Sequence, residues 1–112
     1  MEERHKKVHI DEVAQKLSVD KEHVVNLIKD FLHGRHALEL YKKAFHAGDK
    51  EECKVHIQSI KTLSSGIGLT GLAILANEIE IKLLKDIPLT LEMLNDVVEL
   101  WNELANNFAE GI

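Results

Sequence analysis

A single cysteine, Cys53, among 112 residues excludes an internal disulfide, and its place on the inward side of an expected helix makes it a small hydrophobe rather than a redox group. No apolar run approaches the roughly 20 residues needed to cross a bilayer. The opening stretch Met1-Glu2-Glu3-Arg4-His5-Lys6-Lys7 lacks the apolar core of a secretory signal. A basic field is missing too: 14 Lys and Arg stand against 19 Asp and Glu, a net charge of -5, interspersed along the chain. Neither nucleic acid nor membrane is therefore an expected partner, and the expected compartment is the cytoplasm. Also missing are a glycine-rich phosphate loop followed by Lys-Ser/Thr, a nucleophile elbow and a zinc signature.

What is present is helical periodicity. Apolar residues make up 45% of the chain and recur at three- and four-residue spacing, with no sustained alternation of period two. The length suits one domain over 1–112 with its own core. Ile10, Val13, Ala14 and Leu17 fit a leading helix of two turns, marginal alone and suited to capping the end of a bundle. A second helix starts near Lys21, capped by Ser18 or Asp20, and carries Val24, Val25, Ile28, Phe31 and Leu32. Val24, Phe31, Leu38 and Phe45 keep seven-residue steps across Gly34, so one long helix to about Ala47 is expected, with Gly34 a kink rather than a boundary.

Gly48-Asp49 is a firmer break, glycine serving as a C-terminal cap and Asp49 with Glu52 forming a capping-box-like start. The next helix runs to about Ile67. Gly66, Gly68 and Thr70 separate it from a helix near Gly71–Lys85 bearing Leu72, Leu75, Ala76, Ile79 and Leu83, and so short a connection implies an antiparallel pair. Pro88 and Thr90 mark the start of the last helix, whose expected inward stripe is Leu91, Leu94, Val98, Trp101, Ala105 and Phe108. The expected class is all-α: an antiparallel up-down-up-down four-helix bundle with a short N-terminal capping helix.

One segment carries more than packing: Gln58-Ser59-Ile60-Lys61-Thr62-Leu63-Ser64-Ser65-Gly66-Ile67-Gly68. With Lys61 three residues after Gln58, Gly68 at ten, Leu72 at fourteen and the pair Ile79-Glu80 beyond, it resembles the signature of histidine phosphotransfer (HPt) domains. Upstream, Ala44 and the Gly48-Asp49 turn, nine residues before Gln58, give the same register, and the resemblance covers about residues 10–108. It departs from the family in two places: Gln58 stands where the phosphoacceptor histidine belongs, and Thr62 where glycine usually follows the lysine.

A neutral imidazole attacks phosphorus through a ring lone pair. The amide nitrogen of glutamine has its lone pair delocalised into the carbonyl, so Gln58 forms hydrogen bonds but carries no labile phosphoryl group. Lys54, Gln58, Lys61, Thr62 and Ser65 share one helix face, opposite Cys53, Ile57, Ile60, Ser64 and Ile67.

The resemblance implies a module of two-component phosphorelay signalling. It would bind the receiver domain of a response regulator or hybrid kinase through Lys54, Lys61, Thr62 and Ser65, as a monomer, without catalytic residue, metal or cofactor. The alternatives are an inactivated His-to-Gln form of a working phosphotransfer protein, or a helical adaptor using another surface such as that of Arg35, His36 and Lys43. His56, about 200° around the helix from Gln58, is a rim histidine and only a remote alternative acceptor; His23 and His46 have no signature around them. His5/His9 and His33/His36 have metal-compatible spacing but no third ligand.

Overall fold

The computed structural model describes residues 8–108. His5 of the His5/His9 pair, and the segment read for a secretory signal, lie outside the described residues. Among the described residues six helices follow in order: α1 (Ile10–Leu17), α2 (Lys21–Gly34), α3 (His36–His46), α4 (Lys50–Gly66), α5 (Thr70–Leu84) and α6 (Leu91–Asn107). The chain is all-helical, with no strand among the described residues, and none of these helices is long and apolar enough to cross a membrane. α3 packs on α4, α4 on α5, α5 on α6, and α6 closes against both α2 and α3, while α1 lies on α2.

The turns follow from local chemistry. Asp20 caps α2, its carboxylate accepting the His23 N–H at 3.0 Å. Ser18, the other candidate, is instead the left-handed residue that ends α1. At the end of α3, Gly48 adopts φ 68°. Its N–H donates to the Phe45 carbonyl and the Asp49 N–H to the Ala44 carbonyl, the paired bonds that close a helix ending in a left-handed residue. Asp49 then accepts the Glu52 N–H at 3.1 Å and opens α4. Only that half of the capping box forms. The Asp49 N–H is already engaged, and the Glu52 carboxylate lies 3.2 Å from His56.

Gly68 repeats the turn between α4 and α5 with φ 86°, and here close approach adds to the demand. A Cβ on Gly68 would lie 2.8 Å from the His9 carbonyl oxygen and 2.9 Å from Val13 Cγ2. The His9 N–H donates to the Gly68 carbonyl at 2.8 Å, and Thr70 Oγ1 lies 3.3 Å from His9 Nδ1. The glycine thus gives α1 its seat over the α4–α5 turn. Lys50 at the start of α4 pairs with Asp86 just past α5 at 2.8 Å, so the two helices run antiparallel.

Two expectations are corrected. The long helix from Lys21 to Ala47 is two helices: α2 ends at Gly34, and Arg35 has φ 56°. A left-handed non-glycine residue costs about 1–2 kcal/mol, and contacts with α6 compensate. Ending α2 leaves its last carbonyls without helical partners; the buried Trp101 indole N–H donates to the Leu32 carbonyl at 2.8 Å. Next to it, Arg35 donates to Asn102 Oδ1 at 2.9 Å, and Trp101 stacks on Phe31 with ring centroids 4.8 Å apart. Val24 and Leu38 are buried, and Phe31 and Phe45 half-buried, on either side of the break. The seven-residue periodicity therefore persists in the side chains although the backbone is interrupted.

The inward stripe of α6 is also rotated from the expected one. Met93, Leu94, Val97, Leu100, Trp101, Leu104 and Phe108 are buried, whereas Leu91 is 67% exposed and Val98 and Ala105 are only half-buried. The 3-4-3-4-3 spacing picked out one edge of a broader apolar face. The larger side chains lie toward its other edge, and they take the core.

Replacing Gly68 by alanine forces an unfavourable φ and a backbone clash, with an expected loss of more than about 1–2 kcal/mol in denaturant unfolding. Replacing Trp101 by phenylalanine keeps the ring but leaves the Leu32 carbonyl buried and unpaired, at an expected cost of about 1–3 kcal/mol in the same measurement.

Candidate functional site

α4 forms the candidate site because its two sides obey different demands. Cys53, Ile57, Ile60 and Ser64 are fully buried. Ser64 is tolerated there because its hydroxyl donates to the Ile60 carbonyl at 2.6 Å. Burial, followed by the nearby Asp49 carboxylate, pushes the Cys53 thiol up from its ordinary value, which keeps it protonated and unreactive. At 100° per residue the opposite side presents Gln58, Thr62 and Ser65, all exposed, with Lys54 and Lys61 half-buried beside them. The five residues singled out from the sequence thus share the outer face of one helix, Gln58 midway along it.

The two flanks of this crest differ. On the α5 side stand three lysines, each within 3.0 Å of a carboxylate: Lys50 with Asp86, Lys54 with Glu51, and Lys61 with Glu80. The Lys61–Glu80 pair is the most enclosed, with side-chain exposures of 31% and 13% and an Nζ–Oε1 distance of 2.5 Å. It therefore joins α4 to α5 as well as standing beside Gln58. Lys54 pairs within its own helix to a glutamate that is 82% exposed, an arrangement worth a few tenths of a kcal/mol and readily exchanged for another anion. At the foot of the crest, hydrogen bonding to Lys50 and then its charge hold the Asp86 carboxyl below the usual range.

On the other flank, Val55 and Leu63 are 56% and 48% exposed. With Ser59 and His56 they face Phe31, Gly34, Ala37 and Leu40 across a groove of about 420 Å³. The groove lies beside the Arg35 break. His56 is half-buried against Glu52 and lines this groove rather than the Gln58 crest, while His23 and His46 are exposed on other helices. His33 and His36 fall on opposite sides of the Arg35 break, so the helical spacing that suggested a metal pair does not apply. Among the described residues, no group of three or more His, Cys, Asp or Glu side chains is arranged to hold a metal ion.

Of the third candidate surface, Arg35 is engaged with Asn102 and lies 3.6 Å from Glu39, whereas His36 and Lys43 are exposed. Sequence reasoning set Glu80 in the motif without a role, and nothing in the spacing announces its pairing with Lys61 across nineteen residues. Glu51, by contrast, was findable as an i,i+3 partner of Lys54.

The site offers hydrogen bonding at Gln58 and cationic, hydroxyl and apolar groups around it, with no histidine among the five crest residues. Because Lys61 neutralises a largely enclosed carboxylate, Lys61→Ala is expected to destabilise the protein by about 1–2 kcal/mol, and Glu80→Gln added to it to recover most of that loss. Thermal or denaturant unfolding of the two single variants and the double variant measures the coupling.

Searches against known protein families, characterised proteins and solved structures find no match.

Proposed function

We propose that this protein is an HPt-like module that binds receiver domains through the outer face of α4 and does not take up their phosphoryl group. In this reading α2 and α3 form one interrupted rod of an up-down-up-down four-helix bundle with α4, α5 and α6, and α1 caps one end. The observation that carries it is the exposure of Gln58 at the middle of α4, flanked by Lys54 and Lys61, in the register of a phosphotransfer signature. Glutamine is neutral and close to imidazole in reach, so it fills the place of the acceptor while removing the nucleophilic lone pair.

Two contacts give the signature residues physical meaning within this reading. Lys61 and Glu80, from its two ends, meet as an ion pair; Gly68 is required both for its φ and for the approach of His9. Lys54, whose partner is exposed, is the cation most ready to meet an acidic receiver surface, with Lys61 adding positive potential beside Gln58. Such a protein competes with phosphotransfer proteins for receivers or holds a receiver in one state. Whether Gln58 replaced a histidine in a once-competent site is a question about the rest of that site, which Gln58→His addresses directly.

The test is titration of the protein against a panel of isolated receiver domains by calorimetry. Binding to at least one receiver is expected, weakened several-fold by Lys54→Glu and by Gln58→Arg, neither of which removes Lys61 or Glu80. If no receiver binds, or if binding ignores both substitutions, the proposal fails. Incubating Gln58→His with a phosphorylated receiver and looking for acid-labile phosphate then reports whether the surrounding residues still support transfer.

A further inference from the structure

The groove between the Arg35 break and α4 has a lining that selects its occupant. Its walls are apolar, with Phe31 and Leu40 on one side and Val55 and Leu63 on the other. The α4 wall runs for about 12 Å from Val55 to Leu63. A volume of about 420 Å³ falls within the range of small-ligand pockets, roughly 300–1,000 Å³, in which a few polar groups fix orientation.

Those polar groups are few here, and they are of one sign. His36, His56 and Ser59 offer hydrogen bonds, Asp30 is the only acidic residue lining the groove, and no lysine or arginine lines it. Asp11 and Asp86 are each paired with a lysine, and Asp20 and Asp49 each cap a helix. The Asp30 side chain, by contrast, has no hydrogen-bond or ion-pair partner among the described residues. Past Leu40 and His56, which border both spaces, the groove continues into a cavity of about 290 Å³ lined by Lys43, Asp49 and Glu52. Its one lysine is outnumbered by carboxylates, so an anion gains nothing there either.

We infer that this groove binds a small amphiphilic cation, an apolar body of up to about 12 Å that ends in one ammonium group. The body lies between the walls of Phe31 and Leu40 and of Val55 and Leu63, and the ammonium meets Asp30. Burial of the body supplies most of the attraction, and the carboxylate decides which charge is accepted. Lys54 and Lys61 stand on the opposite flank of α4. This site is therefore independent of receiver binding, and either can fail alone. Phe31 also couples the groove to an optical signal, because its ring stacks on Trp101 with centroids 4.8 Å apart and the chain has one tryptophan.

The test compares octylammonium, octanol and octanoate, which share one apolar body and differ in charge. Each is titrated into the full chain below its micelle concentration, followed by Trp101 emission and by backbone amide shifts. Saturable binding of octylammonium is expected, with the largest shifts around Phe31, Leu40 and Val55 to Leu63. It should be about fivefold tighter than octanol and about tenfold tighter than octanoate. Asp30→Asn should bring the three probes within about twofold of one another, whereas Glu92→Gln, which removes a charge outside the groove, should leave their ranking intact. Both positions are exposed, so the fold survives either change. Absence of saturable octylammonium binding at millimolar concentration overturns the inference, as does equal binding of the three probes to the wild-type chain. A preference for the cation that persists in Asp30→Asn also overturns it, since the attraction then belongs to the net charge of the protein. So does a groove that responds to a receiver domain but to none of the three probes.

Discussion

The hydrogen bond from the Trp101 indole to the Leu32 carbonyl is the contact on which the arrangement of the other helices turns. A helix that stops inside a protein must place its last carbonyls somewhere, and an unpaired buried carbonyl costs about as much as a typical substitution removes. With that acceptor satisfied from α6 and the adjoining Arg35 held by Asn102, α2 can end beside the core instead of at the surface. α3 then starts afresh, and α2 and α3 both pack against α6 while α3 accompanies α4. The groove beside Val55 and Leu63 lies at this break, so a feature on the flank of the candidate site traces back to one indole nitrogen on a different helix.

Much of this was legible in the sequence, for physical reasons that also explain what was not. The Gly48-Asp49 turn, the α4–α5 turn at Gly68 and the inward set Cys53, Ile57, Ile60 and Ser64 follow from local rules: a left-handed cap, an acidic N-cap, and apolar residues at helical spacing. The Arg35 break is not local. Its residue type disfavours the conformation it adopts, and what holds it there is 67 positions away. The misjudged stripe of α6 has a related cause, since a helix with apolar residues over more than one edge can be turned either way by periodicity. Packing decides it: Leu100 and Leu104 are buried and Leu91 is 67% exposed, and only the positions of neighbouring helices make that choice visible.

The candidate site divides in the same way. Which residues share the outer face of α4 is a matter of angle along one helix, and Gln58, Lys54, Lys61, Thr62 and Ser65 were placed together on that basis alone. Which charges are available is a question of tertiary contacts. Lys61 and Lys54 look equivalent in sequence, yet one is bound to an enclosed glutamate on α5 and the other to an exposed glutamate on its own helix. Breaking the first leaves a carboxylate short of solvent. Breaking the second only returns two side chains to water.

Under the proposed function, that difference bears on how a face with glutamine in the acceptor position would recognise an anionic partner. Were all three lysines without acidic neighbours, the crest would bind any polyanion, and selectivity would rest on shape alone. Pairing each with a carboxylate lowers the standing potential and makes binding an exchange, in which a partner must offer an anion at the right place to displace or join the one already there. Glu51 can leave Lys54 at little cost, whereas Glu80 remains with Lys61. Under the proposed function, the face offered to a receiver's acidic site thus has one adaptable cation and one fixed cation on either side of Gln58 along the helix. The fixed one sets geometry, because α5 holds it; the adaptable one supplies attraction. Glutamine between them adds directional hydrogen bonding without charge; under the proposed function, that property would let the face hold a phosphoryl-bearing partner and leave its phosphoryl group where it is.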